Sequence, residues 1–269
     1  MKTHLVWFFA TSLILLLLFL CGAKRKVRRK SSESYETTVF RVLAPKDSLD
    51  IIRNNHEFWN SLDEEEWRKR NVKNLDEYID LIQHDFVALT TSQYHTLCTA
   101  CQEVDTILKR CHLPNFDQQT AASIAWNIGV FQGDRYEYGW PHTMENAVFL
   151  PLSYITSGDM HELIKTLAHE KIHVYQRLYD DKTQQYLHPL GFEKWRKRDL
   201  KDKHIRPNPD LDGWIYKCRG EVFGLDMITH IPTPDSNPQF YEHPFERMAI
   251  EIARLVLHFY NLNNHTSTT

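Results

Sequence analysis

The chain has 269 residues, of which 42% are hydrophobic and 25% charged; this suits a globular body and excludes collagen-like, mucin-like and wholly disordered proteins. The net charge of −3 hides an asymmetry: the first 30 residues carry seven Lys/Arg and no acid, so the 25 basic and 35 acidic residues that follow leave the body at −10. So acidic a body excludes nucleic acid as the main partner.

Residues 5–23 contain no charge and centre on a Leu-rich run, long enough to span a bilayer as one helix. Six basic residues follow within 24–30, and positive charge stays cytoplasmic. Residues 1–23 are therefore predicted to be an uncleaved, single-pass transmembrane signal-anchor with the C-terminal body on the cytoplasmic side; a signal peptide cleaved after Cys21-Gly22-Ala23 is the alternative. Residues 5–30 would contact membrane lipid, the basic run gaining about 1 kcal/mol per charge from anionic headgroups. Residues 24–44, basic and then Ser-rich, read as a tether.

Residues 45–126 read as a helical subdomain. Asn74 caps a run in which Leu75, Tyr78, Ile79, Ile82 and Phe86 recur at helical spacing, and Tyr94, Leu97, Cys101, Val104 and Leu108 repeat the pattern up to Arg110. Cys98, Cys101, Cys111 and His112 lack the knuckle turn of a second zinc site, and the cysteines read as core thiols. From residue 127 the pattern changes. Gly129, Gly133, Gly139 and Pro141 break helix, and 146–150 reads as a short strand. A strong helix is predicted over 159–179. Residues 200–213 form a loop, 214–216 a strand, and the prolines at 232, 234 and 238 another loop. A last helix starts at Pro244 and runs to about 260, with a polar tail over 263–269. The fold class is α+β, mostly helical, with a small sheet.

Within the strong helix lies His169-Glu170-Lys171-Ile172-His173. Histidines four apart stack on one helix face and can hold one zinc ion, while Glu170 can reach a water there as general base and later proton donor. Met160, Ile164, Leu167, Ala168, Tyr175 and Leu178 form an apolar stripe, so the histidines are expected on a polar face flooring a cleft, with Lys171 snorkelling and Gln176 and Arg177 orienting the ligands.

A catalytic zinc needs a third protein ligand. The candidates are Glu221, Glu242, Glu246 and Glu251. In the last helix Glu251 shares the polar stripe with Arg247, Arg254 and His258. Glu246 projects with Ile250, Ala253 and Leu257, where a carboxylate is costly unless it is paired or binds a cation. Glu246 is the preferred ligand and Glu242 the runner-up. His142, in a Gly/Pro turn, is the candidate donor to a transition-state oxyanion, and Tyr216, Arg219 and His243 are equally placed for that task.

The His-Glu-x-x-His helix with a later glutamate resembles the zincin metallopeptidases of the gluzincin type. The longer pattern is Gly139-Trp140-Pro141-His142-Thr143, then Val148-Phe149-Leu150-Pro151, then the helix ending Gln176-Arg177. It is similar to uncharacterised zincin-like proteins of large DNA viruses and protists. The resemblance covers about residues 139–255. It implies a zincin-like metal-site domain over 127–262, one Zn2+ per chain on His169, His173 and Glu246, and a peptide or protein substrate. It also implies that the strand 146–150 lines the cleft and pairs with that substrate. No third His follows a Gly, which excludes the metzincin subtype, and the interval from His173 to Glu246 is longer than in compact gluzincins. The function expected is that of a membrane-anchored zinc metallopeptidase. The alternatives are a non-catalytic, membrane-tethered scaffold and a zinc hydrolase of non-peptide amides or esters.

Overall fold

The structure, a computed structural model, describes residues 39–201, 208–218, 221–223 and 243–265. The expected anchor over 1–23, the tether up to residue 38 and the loop carrying the three prolines lie outside these residues. Among the described residues no helix is long and apolar enough to cross a membrane.

The fold is α+β and mostly helical. Strand β1 (Phe40–Val42) leads into helices α1 (Pro45–Asn54), α2 (His56–Trp59), α3 (Glu64–Lys69), α4 (Leu75–Ile82), α5 (Thr91–Arg110) and α6 (Gln118–Ser123). Strands β2 (Trp126–Phe131), β3 (His142–Met144) and β4 (Ala147–Pro151) follow, then α7 (Leu152–Thr156), α8 (Met160–Leu178) and α9 (Asp180–Leu187). A second sheet comes from β5 (Phe192–Lys197), β6 (Trp214–Cys218) and β7 (Glu221–Phe223), and α10 (Pro244–His265) is the last described element.

Side-chain caps fix where the helices begin. Asp63, Asn74, Asp117 and Asp159 each accept a backbone N–H three residues on, and Thr90 with Gln93 closes a full capping box on α5. In the first sheet, of order β1-β2-β4-β3, β1, β2 and β4 run parallel and β3 pairs antiparallel with β4. Alternate residues feed two cores. Trp126, Ile128, Val130, Val148 and Leu150 face α5, α8 and α10, whereas Phe131, Ala147 and Phe149 face the cluster built from α1 to α4. Gly129 sits opposite Phe149, where a Cβ would lie 2.8 Å from the buried ring and 2.9 Å from Ser48 Oγ.

Three boundaries differ from the sequence reading. The tether does not extend to residue 44, because Phe40–Val42 pairs with β2. The division at 126/127 falls inside β2; strand β1 joins its sheet, and helices α5 and α8 share its core, so the described residues form one compact unit. The tail starts late, since α10 runs on through 263–265. Strand 146–150 is found one residue along, as Ala147–Pro151, but it is interior: β2 and β3 flank it, so it has no free edge for a substrate. Among the described residues the edge strands of this sheet are β1 and β3.

Candidate metal centre

Helix α8 starts from the Asp159 cap and packs most closely against α10, with α5 and the sheet on its other sides. It is buried on nearly every side rather than on one stripe, and His173 is 0% exposed. His169, one turn earlier, is partly open, its side chain 25% exposed. The expected solvated polar face is thus reduced to a small opening at His169.

Glu246, in the first turn of α10, is brought directly over the histidine pair. The two Nε2 atoms are 3.0 Å apart, and Glu246 Oε2 lies 3.3 Å from His169 Nε2 and 3.5 Å from His173 Nε2. Tetrahedral ligands about 2.0–2.1 Å from one zinc ion stand about 3.3 Å from each other, so these spacings fit such an ion. No other group of three or more His, Cys, Asp or Glu among the described residues is disposed to hold a metal. Cys101 and Cys111 are buried free thiols, as expected, and burial pushes the Cys111 thiol up to about 11.

Neighbouring groups aim the ligands. Gln176 Oε1 accepts from His173 Nδ1 at 2.8 Å, which puts a proton on Nδ1 and points Nε2 into the site. The same amide donates from Nε2 to Phe245 O at 2.8 Å, tying α8 to the start of α10 beside Glu246. Asn208 Nδ2 donates to Glu246 Oε1 at 3.2 Å and turns Oε2 inward. Burial disfavours a charged His173, but the Glu246 carboxylate outweighs it and lifts the imidazole to about 10. Burial likewise opposes ionisation of Glu246, and His173 and His169 hold it well below the usual carboxylate range. Three convergent ligand atoms, with a carboxylate favouring positive charge on the imidazoles, are a group that could hold a metal cation.

Glu170 is 4% exposed, and its Oε2 has no hydrogen-bond partner among the described residues. Burial, reinforced by the Asp210 carboxylate, raises its pKa well above that of an ordinary glutamate. An unpartnered buried carboxylate is costly in a purely structural setting and suits a proton-transfer role. The site opens into a cleft of about 1160 Å³ whose walls include His169, Glu170, Tyr138, Trp140, Asp210 and Lys197.

The structure corrects His142. Its Nδ1 bonds Trp140 O at 3.1 Å, its Nε2 meets Tyr136 Oη at 2.8 Å, and its ring stacks on Phe149. With both nitrogens engaged, it is a wall residue and not an oxyanion donor. Tyr216 donates to Asp212 and accepts from Gln184, and His243 caps α10 through Phe245 N, so both are tied into the framework. Glu251 is exposed and accepts from Tyr186 Oη, away from the histidines. Glu221 lies on β7, while Glu242 and Arg219 lie outside the described residues. Lys171 does not snorkel: it is 1% exposed, ion-paired with Asp105 at 2.6 Å and 4.1 Å from the Trp126 ring centroid.

Sequence reading passed over 208–210. Asp210 Oδ1 accepts from Thr143 N at 2.5 Å and from Thr143 Oγ1 at 2.9 Å, which caps the outward amide of edge strand β3. Arg177 then clamps this loop to the β3–β4 turn, donating to Pro209 O and to Glu145 O. An Asn-Pro-Asp run in a charged loop carries no signal of this beyond its turn chemistry. No family model, curated protein or solved structure matches the chain.

Proposed function

We propose that the protein is a zinc-dependent hydrolase of zincin-like type that acts on peptides. The carrying observation is the coincidence of three ligand atoms at tetrahedral spacing with an unpartnered, buried carboxylate on the same helix. Two imidazole nitrogens and one carboxylate oxygen make a donor set suited to zinc, with a coordination position left over for water. Bound there, zinc supplies Lewis acidity, making water a nucleophile near neutral pH and polarising a carbonyl.

The chain's own residues supply the rest. Glu170, next to His169 on the same helix, would take the proton from the attacking water and return it to the leaving amine. Gln176 and Asn208 keep His173 and Glu246 aimed. A cleft of about 1160 Å³ exceeds the usual pocket for a small ligand, of about 300–1000 Å³, which favours an extended substrate over a small ester or amide.

Metal analysis of the purified full chain in detergent tests this reading. The expected result is one zinc per wild-type chain, lost in His169→Ala and Glu246→Ala. Glu170→Gln should keep the zinc while peptide hydrolysis falls by about 10²–10⁴-fold. Wild-type protein that takes up no zinc on reconstitution would overturn the reading and leave a non-catalytic scaffold.

A further inference from the structure

In the wall of the cleft that contains His169 and Glu246 the backbone is held in an unfavourable conformation that the chemistry above does not explain. Glu137 (φ 41°) and Tyr138 (φ 59°) both adopt left-handed geometry, which an ordinary residue avoids because its Cβ crowds the backbone carbonyl. Gly139 (φ 74°) completes the turn, and a Cβ there would stand 3.3 Å from Gly133 O. Such strain persists only where the surroundings impose it, and it gathers at ligand-binding positions.

The surroundings are specific. Arg70, from the end of α3, grips the Glu137 carboxylate through Nε (3.0 Å) and Nη2 (2.7 Å). Tyr78, from α4, donates to Glu137 Oε1 at 2.8 Å and accepts from Glu137 N at 3.0 Å. A buried ion pair of this kind contributes little net stability, so its value lies in fixing the turn.

The outcome is the display of two rings. Tyr138 is 38% exposed and Trp140 is 68% exposed, the highest value among the large hydrophobic side chains described. Both line the cleft that contains His169 and Glu170. Trp140 is fixed to the cleft wall by its carbonyl, bonded to His142 two residues on. A tryptophan held open to water over a reactive cleft forgoes burial that a ligand can restore.

We propose that Tyr138 and Trp140 form a specificity subsite that takes a bulky apolar side chain, aromatic or branched aliphatic, of a peptide substrate. The inference rests on the peptidase reading for its substrate class. The strained turn sets the position of the rings, and Arg70, 5.8 Å from the Tyr138 ring centroid, holds the lower ring against movement.

The test measures binding in the full-length Glu170→Gln chain, with and without zinc, using fluorescent blocked pentapeptides Ala-Ala-Xaa-Ala-Ala in which Xaa is Phe, Leu, Ala or Glu. Phe and Leu peptides should bind about tenfold more tightly than Ala and Glu peptides. The contrast should vanish in Trp140→Ala and persist in Trp195→Ala, which removes an exposed tryptophan that does not line the cleft. Equal binding of all four peptides, no binding of any, or a contrast that survives the Tyr138→Ala/Trp140→Ala double variant would overturn the subsite. Failure of the peptidase reading shows separately, as absent zinc and absent hydrolysis in the wild type.

Discussion

Gln176 makes two bonds with one amide, and they serve different ends. Its oxygen fixes the His173 tautomer and its nitrogen holds the backbone of Phe245. Gln176→Leu should therefore lower zinc affinity by about 10–100-fold, read by competition with a chromophoric chelator, with the helical circular dichroism unchanged. The same chelator assay on Glu170→Gln should give wild-type affinity, because Glu170 is not a ligand. At this scale the sequence was informative where helical spacing determines position. His169, Glu170 and His173 share one helix, and Glu246 stood out as a carboxylate on an apolar flank. Asn208 and Asp210 were not legible, because their partners Glu246 and Thr143 are distant in sequence and no periodicity relates them. His142 misled because a histidine in a Gly/Pro turn looks available, whereas Tyr136 and Trp140 consume both its nitrogens.

Among the elements, α8 carries the site and Lys171 pins it. The ammonium bridges Asp105 on α5 and Ile124 O ahead of β2, with the Trp126 ring beneath. Removing only the cation strands a buried carboxylate. Lys171→Met should destabilise the protein by about 3–5 kcal/mol in urea titration, and adding Asp105→Leu should recover most of that loss. If the double variant is no better than the single one, the pair does not act as a unit. The helices α4, α5, α8 and α10 were legible because each combines a periodic apolar set with a cap or an N-terminal proline. The strands were harder. Strand β2 contains Asn127 and Gly129, which weaken a strand signal, and its parallel partner β1 lies across six intervening helices. Strand β5, Phe-Glu-Lys-Trp-Arg-Lys, hides its pattern behind four charges and a bulge near Trp195.

For the whole molecule, the candidate metal site brings together two helices far apart in sequence across the larger core. Any cation that binds the folded state alone stabilises it by mass action, about 4 kcal/mol at a thousandfold excess over Kd. Zinc should raise the wild-type Tm and a chelator should lower it, and both effects should disappear in His169→Ala. A chelator-insensitive wild-type Tm would show that the core closes around α8 and α10 without help from a cation. Composition anticipated the α+β class but not the unity of the body. The helical first half and the strand-containing second half read as separate because local pattern changes near residue 127, yet β1 and α5 belong to the same sheet and core as α8.

The distance in sequence between His173 and Glu246 has a meaning in time as well as in space. A ribosome adding about 5–20 residues per second delivers the histidine pair several seconds before the carboxylate that completes it. During that interval the nascent chain owns two imidazoles and a reactive-looking Glu170, but no finished centre. Glu246, next to the Phe245 carbonyl that accepts the Gln176 amide, completes the group last in chain order. On the zinc-hydrolase proposal, a translation product that stops short of the last helix would lack the third ligand and carry no activity.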